Sequence, residues 1–228
     1  GAGGYLSSTT AITATSYNIV VGAGGSVTIN GWSSTSTSGN DSIISWSGND
    51  STSYSLTSIG GGRGGSTYPL DGGSGGGGGA DGGSNTYFGL GTAGQGNNGG
   101  QQAWTPNIGA AGGGGGAGAV GANASNYQAG NGGVGLANSI SGSSVFYAGG
   151  GGGGCHQDSA RGTGGNGGGG DGARGITGGS PYDAPSAGAT NTGGGGGGSG
   201  INANVSPIQT GNAGTGGSGV VIIKYKFQ

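Results

Sequence analysis

Six consecutive glycines, Gly193 to Gly198, lie between Asn191-Thr192 and Ser199-Gly200, and looser copies of this run recur along the chain. Such a stretch has no side chain to bury, so any ordered role falls to the backbone. Ordering it is costly, because a glycine loses more conformational freedom than an alanine, roughly 0.5–1 kcal/mol apiece, and 72 of the 228 residues are glycine. Ordinary burial does not offset that cost. Leu, Ile, Val and Phe together make up about 13% of the chain, below the roughly 20% at which disorder becomes the default. Disorder, however, normally accompanies a high net charge, whereas here charged residues are 5% and the net charge is −2.

What the missing Cβ frees is the peptide group, because neighbouring backbones approach closely, as they do at the axis of collagen. The sequence therefore predicts extended, polyproline-II-like glycine segments, about 3.1 Å per residue and three residues per turn, packed side by side. Such segments have no internal hydrogen bonds, so their buried N–H and C=O groups must bond to adjacent segments. Collagen itself is excluded, since a strict Gly-X-Y period is missing and there are only five prolines.

The length suits one domain or two. Gly1-Ala2-Gly3-Gly4 opens the chain without a Met, which reads as a mature, processed or excised product, and no signal peptide or transmembrane run is visible. Residues 5–21, free of glycine and rich in Thr, Ile, Val and Tyr, predict two strands with a polar turn. After a glycine break at 22–25, residues 26–32 predict another short strand, 33–40 a Ser/Thr/Gly/Asn loop, and 42–47 and 53–59 two strands about a Gly48-Asn49-Asp50 turn. Residues 1–59 are thus expected to form a small antiparallel β unit, and 60–228 a glycine bundle continuous with it.

About nine glycine-dense segments occupy the second region, similar in length but without a fixed period. The separators carry most of the bulk, with Tyr68, Tyr87-Phe88, Trp104, Tyr127, Val145-Phe146-Tyr147, Pro181-Tyr182 and Val205 among them. Turns joining rigid rods are expected there. Helix is not expected anywhere, because no window shows a 3.6-residue apolar period. The chain ends on its most apolar stretch, residues 219–227. Val221, Ile223, Tyr225 and Phe227 share one face of a predicted strand whose open edges need partners. The predicted fold class is all-β and irregular, a β unit plus a polyglycine-II-like bundle closed by this strand.

The ordered series GAGGYLSSTT, YNIVVGAGG, GGVGLA with SISGS, YAGGGGGG and GTGGSGVVIIKY resembles the glycine-rich domain of phage tail-fibre proteins and related bacterial surface proteins. The resemblance runs over most of the chain. It implies a polyglycine-II bundle whose connecting loops contact a host surface, as in receptor-binding tail-fibre adhesins. Such domains commonly open with an apolar strand before the first glycine run, and this chain begins just after that point. The partner of the C-terminal strand is then expected either upstream of Gly1 or on a neighbouring copy, and the second case would build fibres by strand addition.

Chemistry is thinly represented. There is no Glu, and the seven Asp are scattered, which disfavours a paired-carboxylate site. His156, the only histidine, adjoins the only cysteine, Cys155, with Asp158 near, yet adjacent side chains usually diverge, so the pair reads as loop filling rather than a nucleophile or metal site. Residues 89–94 match G-x-G-x-x-G with no helix to follow, and 76–81 match half of a calcium-binding repeat that does not recur. No catalytic, cofactor or metal residue is nominated. Five basic residues and a pI near 4.8 disfavour nucleic acid, and no membrane insertion is expected. The reading is a non-enzymatic structural and adhesive protein of an extracellular fibre, either a tail-fibre-like domain or a self-assembling filament subunit. Partner or subunit contacts are expected at Tyr68, Tyr87, Phe88, Trp104, Tyr127, Tyr147, Tyr182, Val221, Ile223, Tyr225 and Phe227, with self-association or a cell-surface receptor as the counterpart. The alternative is an ice-binding glycine bundle, which needs a flat Thr-bearing face, and the Thr here concentrate in the β unit.

Overall fold

Residues 111–117 show how glycine segments hold together, in a computed structural model that describes residues 1–10, 16–30, 33–48, 52–65, 68–79, 87–105, 108–125, 127–156, 160–175, 183–202, 209–210 and 213–225. The N–H groups of 111–117 point in turn at three neighbours. Ala111, Gly114 and Ala117 donate to Gly154, Gly151 and Ala148 at 2.9, 2.8 and 2.9 Å. Gly112 and Gly115 donate to Gly78 and Gly75 at 2.8 and 2.9 Å, and Gly113 and Gly116 to Ala122 and Ala119, both at 3.0 Å. Every third residue meets the same neighbour, which is the three-residue turn of polyglycine II. The carbonyls serve three further segments, accepting from Gly130 and Gly133, from Gly100 and Asn97, and from Ala2. This rod is enclosed by six others, and its peptide groups, the Gly112 carbonyl apart, are paired without a helix or a sheet.

The step of three recurs elsewhere. Gly149, Gly152 and Cys155 donate to Gly167, Gly170 and Ala173; Gly195 and Gly198 donate to Gly149 and Gly152; Gly214 and Gly217 donate to Gly197 and Gly194. The rods pack so closely that a Cβ built at Gly150 would lie under 3.0 Å from the main chain of Gly114 and Gly115. Only small side chains interrupt them. The buried apolar residues are Ala2, Ala110, Ala117, Ala129, Ala148, Ala173 and Cys155, forming one cluster of Ala2, Ala117 and Ala148 and another of Ala110, Ala129 and Cys155. The core is therefore made of amides, and among the described residues the large apolar side chains lie outside it.

Short antiparallel hairpins connect the rods. β1 (Asn18–Val20), β4 (Ser42–Ser47) and β5 (Ser53–Ser58) form a three-stranded sheet in the order β1-β4-β5, and β2 (Val27–Asn30) pairs with β3 (Ser33–Ser36). β6 (Ala103–Thr105) and β7 (Ile108–Ala110) lead from the rod at 97–100 to the one at 111–117, and β8 (Leu136–Asn138) and β9 (Val145–Tyr147) from 129–135 to 148–155. β10 (Ile201–Asn202) and β11 (Gln209–Thr210) do the same between 193–200 and 213–219. Of the bulky separators, Trp104 and Val145-Phe146-Tyr147 lie in hairpins at rod ends, whereas Tyr68, Tyr87-Phe88 and Tyr127 lie in no strand, and no helix occurs among the described residues.

Several expectations need correction. Residues 33–36 are a strand rather than loop, since the N–H and C=O row of β2 takes them as its antiparallel partner. No strand forms in residues 1–10. Gly1 to Tyr5 run instead as a rod: Ala2, Gly3, Gly4 and Tyr5 donate to Gly115, Gly193, Ile59 and Gln95. The supposed break at 22–25 is likewise a rod, accepting at Gly25 and Gly22 from Gly216 and Gly219. Residues 220–225 are not paired into a sheet, because no described strand offers them an edge. The turn at Asn49-Asp50, the Pro181-Tyr182 and Val205 separators, Asp158 and Phe227 lie outside the described residues.

Candidate functional site

A cavity of about 1660 Å³ opens beside the central rod. Its lining includes glycine backbone from 60–65, 77–79, 151–154 and 196–198, apolar side chains such as Tyr5, Leu6, Tyr17, Ile44, Leu56 and Ile59, and Ser and Thr residues such as Ser7 and Thr9. Residues 220–225 run along it. Its ionisable side chains besides tyrosines are Arg63, Cys155, His156 and Lys224, and no carboxylate lines it among the described residues. β4 and β5 place Ile44 opposite Leu56 in register, and both border the cavity beside the rod that starts at Gly60.

Five of the nominated contact residues border this cavity: Tyr68, Tyr147, Val221, Ile223 and Tyr225. Tyr68 and Tyr87 also meet each other, rings 6.4 Å apart and tilted by 33°, and both are exposed, at 66% and 52%. Phe88 is half-buried next to them in sequence. Tyr127 stands apart, exposed, on a left-handed backbone with φ 67°, and Trp104 sits on β6. Tyr182 falls outside the described residues. The structure thus supplies one cavity edge and one tyrosine pair rather than a single aromatic patch.

An aromatic ladder was not nominated. Tyr17, Trp46 and Tyr54 line up across the three-stranded sheet, with centroids 5.5 and 5.6 Å apart and the second pair nearly parallel at 15°. Trp46 and Tyr54 are directly opposite in register, a pairing legible from counting back from the Gly48 turn. Such cross-strand aromatic pairs are worth roughly 0.2–1 kcal/mol.

Asp and Asn side chains also proved structural. Asp41 accepts from the Gly60 N–H at 2.8 Å, Asp71 from Leu90 at 2.6 Å, Asn98 from Gly91 at 2.9 Å, Asn131 from Thr163 at 2.9 Å and Asp171 from Gly164 at 2.8 Å. Each replaces a main-chain carbonyl where a rod ends. Asp171 and Asp183 also reach Arg161 and Arg174 at 3.7 and 3.4 Å, exposed pairs of little energetic weight.

Cys155 is not loop filling. It continues the rod at 148–154, is 1% exposed, and burial pushes its thiol up to about 11 despite the opposing charge of Arg174. His156 is lowered below its usual value, again by burial. Burial thus favours the protonated thiol and the neutral imidazole. Among the described residues no group of three or more His, Cys, Asp and Glu side chains is placed to hold a metal ion. At residues 92–95, within and just past the G-x-G-x-x-G match, the chain makes a turn, with Gly94 at φ 78°, rather than opening a helix.

The family model described as a glycine-rich domain matches residues 1–226. No curated protein and no solved structure matches the chain.

Proposed function

Starting from a chain that belongs to the glycine-rich domain family, we propose a structural and adhesive role in an extracellular fibre, as a tail-fibre-like domain or as the subunit of a self-assembling filament. The observation that carries this reading is the interior at 111–117, where six rods bond to one mainly through the main chain, with the Asn97 side chain adding bonds to the Gly116 and Ala117 carbonyls. A core of that kind needs no large side chain, so the Tyr, Leu, Ile and Val that a globular domain would bury are left outside. Exposed apolar groups in such number favour contact with another surface, and Tyr is among the residues that dominate such contacts. A bundle cross-bonded in every lateral direction is a stiff support for them.

The test is negative-stain microscopy of the purified chain, combined with capture of labelled chain by candidate host cells. Polymers tens of units long support the filament form. Monomers or small oligomers that bind cells support the adhesin form. Monomers that bind nothing overturn both, and thermal hysteresis in such a sample transfers the chain to the ice-binding class.

A further inference from the structure

The sequence holds four Asn-Gly pairs, at 30–31, 98–99, 131–132 and 166–167, and the structure describes both members of the last three. Asn-Gly is the dipeptide most prone to close on itself, because a glycine nitrogen, with no Cβ beside it, reaches the asparagine side-chain carbonyl carbon with the least hindrance. In each of the three the Asn main-chain carbonyl accepts a bond from another rod, from Gly121 at 3.0 Å, Ala122 at 2.9 Å and Gly135 at 2.7 Å respectively. That donation polarises the peptide group and makes its glycine N–H easier to deprotonate. What separates the pairs is how the N–H and the side chain are held.

At 98–99 and 131–132 both are tied down. Gly99 and Gly132 donate to the Gly89 and Thr163 carbonyls at 3.0 and 2.9 Å, while the side-chain oxygens of Asn98 and Asn131 accept from the Gly91 and Thr163 N–H groups, both at 2.9 Å. Asn166-Gly167 has neither restraint. Asn166 is exposed and its side chain makes no hydrogen bond among the described residues, and the Gly167 N–H has no partner among them either. The pair sits in the turn between the rods at 160–165 and 169–174, spanned by a bond from the Gly169 N–H to the Gly165 carbonyl at 3.1 Å, with Gly167 at φ 104°. That backbone calls for glycine, so the turn itself puts the reactive dipeptide in solvent.

We propose that Asn166 is a self-modifying site, the one of these three pairs that the folded chain converts to aspartate and isoaspartate with water as the only reagent. The Gly167 nitrogen attacks Cγ of Asn166 as its proton passes through water to Nδ2. The N–Cγ bond forms, the Cγ–Nδ2 bond breaks, and Nδ2 leaves as ammonia. Water then opens the cyclic imide at either carbonyl. Opening at Cγ leaves an ordinary aspartate, whereas opening at the main-chain carbonyl carbon leaves isoaspartate, with the chain running through Cγ and lengthened by one methylene. One water is consumed, one ammonia is released, one negative charge is gained, and nothing is oxidised or reduced. The added methylene falls just before Gly167, whose carbonyl accepts from Gly149 at 3.0 Å, the first of the bonds joining 149–155 to 167–173. The reaction therefore loosens that rod pair at one end. It needs no partner and is independent of the fibre reading.

The experiment ages the full folded chain in neutral buffer and maps it by mass spectrometry. Trypsin, cutting after Arg161 and Arg174, releases 162–174, in which Asn166 is the only Asn, and chymotryptic peptides report on Asn98 and Asn131. Asn166 is expected to deamidate at close to the rate of a free acetyl-GTGGNGGGGDGAR-amide peptide. Asn98 and Asn131 should react at least about tenfold more slowly, because two bonds must open first. In guanidinium chloride the three sites should react alike. Equal rates at all three in the folded chain, or a slower reaction at Asn166 than at either of the others, overturn the site. The aged form, chiefly isoaspartate and separated by anion exchange, should melt about 2–4 °C below Asn166→Asp, which carries the same charge without the methylene. Equal melting of the two overturns the loosened rod pair.

Discussion

Replacing one glycine by alanine should have opposite effects at two positions of this chain, and the structure says which. At Gly150 the added Cβ would lie under 3.0 Å from the Gly114 carbonyl carbon and oxygen and from the Gly115 oxygen, all main chain. The rods at 111–117 and 148–154 would have to part there. Three hydrogen bonds join them, of 2.9, 2.8 and 2.9 Å, and the middle one, Gly114 to Gly151, is nearest to the intrusion. Leaving that donor unsatisfied costs about 1–3 kcal/mol, and the overpacking about 1–3 kcal/mol more. The stiffer unfolded chain returns only about 0.4–1 kcal/mol. The expected net loss is about 2–5 kcal/mol, or roughly 5–20 °C in melting temperature for a chain of this size. At Gly65, by contrast, nothing lies within 4 Å of the built Cβ, and the backbone is not left-handed. There only the unfolded-state term remains, so Gly65→Ala should stabilise by about 0.4–1 kcal/mol. Scanning calorimetry of both variants against wild type reads the difference directly. If Gly150→Ala melts with wild type, the close approach of rods is not what excludes side chains, and the amide-core account is wrong.

Three further outcomes follow from individual groups. Ser74 is fully buried and its hydroxyl has no partner among the described residues, so Ser74→Ala should be neutral or stabilising by about 1 kcal/mol in urea titration. The Cys155 thiol, raised to about 11 by burial, should be alkylated by iodoacetamide at pH 8 about 100-fold more slowly than in urea. Because its folded value exceeds the unfolded one, its contribution is fully present below about pH 9 and is lost as pH rises through about 11, amounting to about 3 kcal/mol; Cys155→Ala should flatten the stability curve in that window. Removing the acceptor of the buried Gly60 N–H with Asp41→Ala should cost about 1–3 kcal/mol, whereas Asp41→Asn, which keeps a side-chain carbonyl, should recover most of it in the same titration.

The rods and the hairpins were readable in the sequence because both follow from composition. Glycine without apolar residues leaves only the peptide to bond, and bulky separators fit only where rods turn, as β8 and β9 do with Phe146 and Tyr147. Which rod stands at the centre was not readable. Residues 149–154 and 193–198 are the longest pure glycine runs, yet 111–117 are the ones enclosed on six sides. Rods without side chains look alike in sequence, and their neighbours are set by long-range connections. The rods at 1–4 and 22–25 were mistaken for an opening and a break because they are short, although a rod needs only one turn on each neighbour. A signal did exist for the acceptors at rod ends: Asp71-Gly72, Asn98-Gly99, Asn131-Gly132 and Asp171-Gly172 each place an Asx residue directly before glycine. The alternation at 220–225 reads as a strand in the sequence, yet the structure forms none there, because alternation specifies a strand's faces and not its partner.

An interior made of amides changes which residues stability depends on. In an apolar core the side chains that hold the fold are withdrawn from recognition, so changing a contact surface and keeping the fold are separate tasks only where the two sets do not overlap. Here they hardly overlap at all. The rings of Tyr68 and Tyr87 pair with centroids 6.4 Å apart and are mostly in solvent, and neither is bonded to a rod among the described residues. The hairpins that carry Trp104 and Phe146 hang from rods whose own bonds run to other rods. The loops of such a bundle are therefore free to vary in sequence while the register, set by main-chain bonds three residues apart, stays the same. That separation is what a fibre with a changeable contact surface requires, and it holds only as long as the positions facing another rod remain glycine or alanine.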